Sequence, residues 1–156
     1  MVQGLRGGAE GEEALIAIDT NLLVYAFDVR AAVHREALGL VASLAEGRRP
    51  WGLPWPCVPE FINSVTGLRA GQPAPVPAAL AFLDQVLASP TVRCLLPTDD
   101  TLRVLREVLD DSGVRGPQVH DAQIFALCLE HGVRELLTAD KGFRRFRGLK
   151  VRDPFR

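Results

Sequence analysis

The sequence has no long apolar run, although 47% of its residues are hydrophobic. No uninterrupted apolar segment approaches the roughly 20 residues that a membrane-spanning helix requires, so we expect no membrane partner. Residues 1–13 contain several glycines and acids, one arginine and no apolar stretch typical of a secretory signal. They are therefore interpreted as a disordered leader, and residues 14–156 as a single domain.

The chain also has few cysteines and a net charge close to zero. The three cysteines lie far apart in apolar surroundings, which predicts reduced thiols in the core and a cytoplasmic location: Cys57, Cys94 and Cys128. A net charge of −1 gives no global field that would attract nucleic acid. The sequence also lacks a GxxxxGK phosphate loop and any Ser/His/Asp or Cys/His nucleophile arrangement.

The stretch that organises the chain is Leu15 to Asn21, with the sequence LIAIDTN. A short, uncharged, β-branched run followed by capping residues predicts a strand buried on both faces and a helix starting at its end. Asp19 then lies at the carboxyl end of a central strand. Ligands of open α/β sheets bind at that edge.

The rest of the chain alternates between short strands and amphipathic helices. This alternation predicts an α/β fold, a three-layer α/β/α sandwich on a mainly parallel sheet. The periodicity gives Leu68 and Leu102 inward positions on two helices. A loop is expected over 70–77 before a helix over 78–88, and Thr98 is expected to cap the helix over 99–111.

Four acids are expected at strand carboxyl ends or helix amino ends, which is one edge of the sheet: Asp19, Glu60, Asp121 and Asp140. Each alone is explained by helix capping, the helix dipole or a turn. Together they repel by about 4 kcal/mol per close pair and need protons or a cation. A magnesium ion suits such oxygen ligands, as does manganese, so the sequence predicts metal-assisted attack of water on a phosphodiester.

Four segments in this order resemble the PIN-domain ribonucleases, specifically the virulence-associated protein C (VapC) toxins: IDTNLLVYAF, PEFINSVT, VHDAQIFALCLEHGV and ELLTADKGF. The pattern LPWPCVPEF, followed by a proline-containing loop, is most similar to the group of these toxins abundant in mycobacteria. The resemblance covers about residues 15–154. No single motif is specific, but the ordered set is.

The resemblance implies a Mg²⁺- or Mn²⁺-dependent endoribonuclease of a VapBC-type toxin–antitoxin system, acting on structured RNA such as transfer or ribosomal RNA. It further implies a cognate VapB-type antitoxin and a homodimer. Asp19 and Asp121 correspond to the principal metal ligands, and Glu60 and Asp140 complete the acidic pocket. Three polar residues correspond to groups that orient carboxylates or water: Thr20, Asn21 and Thr138.

One position departs from the family pattern. Many relatives have TxDxDF where this chain has TADKGF, so Gly142 replaces the second acid and leaves open whether one or two metal ions bind. This motivates a second hypothesis, a catalytically weak PIN-like module whose acids receive an arginine from a protein partner. A small-molecule phosphohydrolase ranks last. The segment DTN faintly resembles the start of the haloacid-dehalogenase motif, but that family requires a second aspartate two residues after its nucleophile, where this chain has Asn21.

The C-terminal residues 141–156 include seven basic residues and one acid, Asp153. This run is either a solvated surface or a rim that contacts RNA phosphates, for which Arg144, Arg145 and Arg147 are the best placed candidates. The apolar face of the helix over 60–68, with Trp55, is expected to anchor the antitoxin. Both tryptophans are interpreted as filling a core edge or a subunit contact rather than stacking bases.

Overall fold

The computed structural model describes residues 14–156, and the predicted leader lies outside them. Five strands are present in these residues: β1 Leu15–Ile18, β2 Trp51–Pro54, β3 Val92–Leu95, β4 Val133–Leu137 and β5 Lys150–Arg152. Six α-helices connect them: α1 Thr20–Phe27, α2 His34–Glu46, α3 Cys57–Thr66, α4 Val76–Leu87, α5 Thr101–Ser112 and α6 Val119–Glu130. The strands form one sheet in the order β3-β2-β1-β4-β5.

All four strand pairings are parallel. The chain first moves outward from β1 to β3 through α1–α4, and then returns through α5 and α6 to β4, on the other side of β1. Because crossovers between parallel strands are right-handed, this reversal places α1–α4 on one face and α5–α6 on the other. The predicted three-layer α/β/α sandwich is confirmed.

The central strand β1 is buried on both faces, and Ala17 and Ile18 have no solvent exposure. Helix α3 buries Phe61 and Val65 on one side of the sheet, and α6 buries Phe125 on the other. The strand order reverses between β1 and β4, so the carboxyl ends of these strands form the edge where the fold leaves a crevice.

The structure corrects several local predictions. Helix α4 begins at Val76, inside the expected loop, because Pro77 is compatible with the first turn of a helix. Helix α5 begins at Thr101, since Thr98 Oγ1 accepts from the Asp100 amide and closes a turn ahead of the helix. Leu68 and Leu102 are 94% and 65% exposed, so they lie outside the core.

The cysteine prediction is right for two of the three residues. All three thiols are free, and Cys57 and Cys128 are buried, whereas Cys94 is exposed on the outer strand β3. Among residues 14–156, the helices are all too short or too polar to cross a bilayer.

Candidate active site

Asp19 follows β1 and caps the amino end of α1. Its Oδ1 accepts from the Thr20 amide at 2.7 Å, and its Oδ2 accepts from Thr138 Oγ1 at 2.8 Å. The side chain is only 5% exposed. The short strand followed by a helix-capping acid therefore places a nearly buried carboxylate at the switch point of the sheet.

Asn21 joins the ends of the two central strands. Its Nδ2 donates to Asp19 Oδ2 and to Thr138 Oγ1, both at 3.2 Å, and its Oδ1 accepts from the Ala139 amide at 3.2 Å. Thr138 Oγ1 also accepts from the Asp140 amide at 3.0 Å. The loop after β4 is thus held against the carboxylate that follows β1.

Glu60 approaches from α3, where it occupies the first turn. Its Oε2 accepts from Thr20 Oγ1 at 3.0 Å, which fixes one end of an otherwise exposed side chain. Thr20 and Glu60 are 40 residues apart in the chain. The Thr20 hydroxyl therefore holds the Glu60 side chain beside Asp19.

Asp121 and Asp140 approach from the opposite side. Asp121 is half-buried in the first turn of α6, and Asp140 precedes a 3₁₀ turn over Lys141–Arg145. Asp140 Oδ1 accepts from the Gly142 amide at 2.7 Å. A Cβ at position 142 would lie 3.0 Å from that oxygen, so glycine lets the loop close tightly on Asp140.

The charges of these carboxylates act on one another. The pKa of Asp19 is raised from 3.8 to about 7, mainly by burial and to a smaller extent by the charges of Glu60 and Asp121, which together outweigh the lowering effect of its hydrogen bonds. Burial also raises the pKa of Asp121 to about 6, with contributions from Asp140 and Glu60. The metal-free crevice therefore disfavours its own negative charge.

Whether these residues suit a metal ion depends on the donor set. No group of three or more His, Cys, Asp or Glu side chains within residues 14–156 is close enough to enclose an ion. Mg²⁺ does not need such a cage, because it binds through one or two carboxylates and keeps several waters. Burial is the main cause of the two raised pKa values, and the charges of the neighbouring acids add to it. A cation would offset both effects, so the all-oxygen donors fit a hydrated Mg²⁺ or Mn²⁺.

Sequence reasoning missed the thiol that lies beneath the site. Cys57, the first residue of α3, places Sγ 4.0 Å from Asp19 Oδ1. Burial raises the pKa of this thiol well above its ordinary value, so it stays neutral. Its position three residues before Glu60 on a helix could have indicated that it faces the same crevice.

The basic candidates do not lie together. Arg144 and Arg145 belong to the 3₁₀ turn after Asp140, and the charge of Arg145 lowers the pKa of Asp121. Arg147 instead lines a hollow with Asp111 and Leu129, at the far end of α6. Because β5 is parallel to β4, the chain has to return to the amino edge of the sheet before Lys150, and this return carries Arg147 away from the crevice.

The expected apolar anchor on α3 is also corrected. Phe61 and Val65 are buried in the core and Leu68, beyond the end of the helix, is 94% exposed, so α3 does not present the expected continuous apolar face to another chain. Trp51 is buried as expected, whereas Trp55 is 45% exposed and does not fill the core.

A family model for the PIN domain matches residues 16–149. This chain belongs to the PIN-domain family. This chain is 33% identical to Ribonuclease VapC43 of Mycobacterium tuberculosis over 141 residues, which are 90% of this chain and 95% of the relative. It is 31% identical to Ribonuclease VapC48 of the same organism over 138 residues, 88% of this chain and 95% of that protein. The resemblance inferred from the motifs is confirmed.

Solved structures share the fold of this PIN domain. Mycobacterium tuberculosis VapC20 superimposes with a TM-score of 0.63 at 23% identity, covering 86% of this chain and 98% of that chain. VapBC2 from Rickettsia felis gives a TM-score of 0.61 at 18% identity, covering 88% and 97%.

Proposed function

We propose that this PIN-domain protein is a metal-dependent endoribonuclease that hydrolyses RNA phosphodiester bonds, and that it is the toxin of a VapBC-type toxin–antitoxin pair. The observation that carries the proposal is that the charges of Glu60 and Asp121 act on Asp19, and those of Asp140 and Glu60 act on Asp121, at the carboxyl edge of the sheet. The names of the relatives VapC43 and VapC48, both ribonucleases, support the same activity.

Asp19 and Asp121 are proposed as the principal ligands of Mg²⁺ or Mn²⁺, with Glu60 and Asp140 completing the site. When bound, the ion would lower the pKa of water and neutralise charge on the scissile phosphate. Without metal, the raised pKa values of Asp19 and Asp121 disfavour their ionised forms. A bound cation would stabilise the two negative charges.

The surrounding side chains set the orientation of these ligands. Thr138 and Asn21 donate to Asp19 Oδ2 and thereby fix the plane of its carboxylate. Thr20 holds Glu60 Oε2, and Oε1 has no hydrogen bond within residues 14–156. Glu60 is therefore placed to orient the attacking water or to receive its proton.

The proposed partners are structured RNA and a VapB-type antitoxin. The Rickettsia felis neighbour was solved as a VapBC pair, which supports a protein partner for this fold. An arginine of the antitoxin would make bidentate bonds to the crowded carboxylates and exclude metal or substrate. A homodimer and a transfer or ribosomal RNA target stay predictions from the resemblance.

The family match argues against the small-molecule phosphohydrolase. The haloacid-dehalogenase motif, on which that hypothesis depends, requires an aspartate at position 21, where Asn21 instead links Asp19 to Thr138. The alternative of a catalytically weak binding module is motivated by Gly142. It differs from the proposed enzyme in predicting little or no RNA cleavage.

Cleavage of end-labelled structured RNA tests the proposal. We expect cleavage with Mg²⁺ or Mn²⁺, none in EDTA, and restoration when the metal is returned. The matched control is Asp84→Asn, which removes an exposed carboxylate from α4 and should cleave like the wild type. Metal-independent cleavage, or RNA binding without any cleavage, would contradict the proposed enzyme.

A further inference from the structure

A groove of about 620 Å³ lies beside the carboxylates, between the amino ends of α3 and α6. Glu60 and Asp121 form part of its wall. Its other lining residues carry no negative charge and are an indole, three prolines, two amides and an imidazole: Trp55, Pro56, Pro59, Pro117, Asn63, Gln123 and His120. Whatever occupies this groove touches the proposed catalytic site.

Trp55 provides an exposed aromatic surface in this groove. Its backbone is held between Pro54 and Pro56, where the Trp55 amide donates to Leu95 O at 3.0 Å and its carbonyl accepts from the Val58 amide at 3.0 Å. The residue is nevertheless 45% exposed. An exposed indole on a fixed backbone offers a surface on which unpaired nucleobases stack.

The amides of Asn63 and Gln123 provide the polar edge. Neither side chain makes a hydrogen bond within residues 14–156, and the same holds for the His120 ring. An amide can donate and accept at once, as the edges of nucleobases do. Asn63 lies one helical turn after Glu60, so a base contacted by this amide is close to the scissile phosphate.

We propose that this groove is a subsite for one unpaired RNA base, stacked on Trp55 and contacted at its edge by Asn63 and Gln123. The inference rests on the proposed function and extends it to substrate choice. RNA is favoured over a protein segment because the groove is continuous with the phosphodiester site and combines one aromatic face with free amides. Sequence-specific RNA recognition uses this combination on single-stranded loops.

The test exploits the presence of only two tryptophans, one of them buried. Binding of unlabelled hexanucleotides of A, C or U to the Asp121→Asn variant should quench Trp55 fluorescence. Trp55→Phe should abolish the quenching while keeping affinity for a dye-labelled hexanucleotide, because phenylalanine still stacks. Trp55→Ala should weaken that affinity by roughly ten-fold. In otherwise wild-type protein it should raise KM more than it lowers kcat.

The control is Leu102→Ala, which removes an exposed apolar side chain on α5, away from the groove. It should change neither the affinity for the hexanucleotide nor KM. Asn63→Asp and Gln123→Glu should shift the preference among the three hexanucleotides. Equal affinity and KM in Trp55→Ala and the wild type, with cleavage intact, would overturn the subsite and leave the ribonuclease standing. Trp55-dependent binding without cleavage by the wild type would support the subsite and refute the proposed activity.

Discussion

Thr138 donates a hydrogen bond from Oγ1 to Asp19 Oδ2 at 2.8 Å, although 119 residues separate the two in the chain. The threonine directly follows β4 and the aspartate directly follows β1, so this bond joins the ends of the two strands between which the sheet order reverses. Both residues are nearly buried. The orientation of the most protected carboxylate in the crevice is therefore set by a neighbouring strand.

This bond gives the first prediction. Thr138→Val removes the donor while keeping the shape of the side chain, so we expect metal affinity to fall by about 10- to 100-fold. Thr138→Ser keeps the hydroxyl and should retain most of that affinity. The measurement is the Mg²⁺ or Mn²⁺ concentration that gives half-maximal RNA cleavage. An unchanged metal requirement in Thr138→Val would mean that the hydroxyl does not orient a ligand.

The strand end at Asp19 shows what the sequence predicts well. A short apolar run before an acid fixes both the strand and its carboxyl edge, because few other structures bury uncharged β-branched residues and then cap a helix. The same pattern placed Asp140 after β4. Periodicity predicts Glu60 and Asp121 in first turns of helices, so the sequence alone assigns all four acids to one edge of the sheet.

Other features depend on packing that periodicity does not encode. The contact between Cys57 and Asp19 and the exposure of Trp55 depend on the orientation of α3 relative to the sheet. The short distance in sequence between Asp140 and Arg147 predicts that this arginine lies at the crevice. The return of the chain toward β5 moves it to the far end of α6, and only the parallel pairing of β4 and β5 reveals this.

Removal of one crowded carboxylate should separate activity from stability. In Asp121→Asn we expect RNA cleavage to fall roughly 100-fold or more, because a charged ligand is lost from the metal site. The melting temperature of the metal-free protein should equal or exceed that of the wild type at pH 8, since repulsion among the acids is relieved. Wild-type turnover, or a clearly lower melting temperature in EDTA, would contradict the assignment.

The pH dependence of the metal-free protein follows from the same charges. The folded-state pKa values of Asp19 and Asp121 are raised from 3.8 to about 7 and about 6. Groups with raised pKa values contribute stability that is complete below their unfolded value and is lost as pH rises through the folded value. We therefore expect the melting temperature of the metal-free protein to fall between about pH 4 and pH 7 and to level off above that range.

Saturating Mg²⁺ or Mn²⁺ should reduce this fall, because a bound cation favours the ionised carboxylates. Asp19→Asn should reduce it as well, since the substituted amide does not titrate. A melting curve in EDTA that is equally steep in Asp19→Asn and the wild type would show that other groups cause the pH dependence.

The separation of the arginines predicts unequal effects on RNA binding. Replacing Arg144 and Arg145 by alanine should flatten the salt dependence of binding by roughly 0.7 units of slope per lost phosphate contact. Replacing Arg147 and Lys150 removes the same charge far from the crevice and should change the slope less. RNA affinity measured across a salt series compares the two. Equal slopes in both double variants would mean that the turn after Asp140 has no special contact with the substrate.

The central claim is that four carboxylates act together as one metal-dependent catalytic site. Its most direct test is Mn²⁺ binding by calorimetry, paired with RNA cleavage, in Asp19→Asn, Glu60→Gln, Asp121→Asn and Asp140→Asn, with Asp84→Asn as the control. The account predicts that the substitutions at Asp19 and Asp121 weaken Mn²⁺ binding most, that all four site variants lose cleavage, and that the control loses neither. Mn²⁺ binding and cleavage at wild-type levels in Asp19→Asn and Asp121→Asn would contradict it.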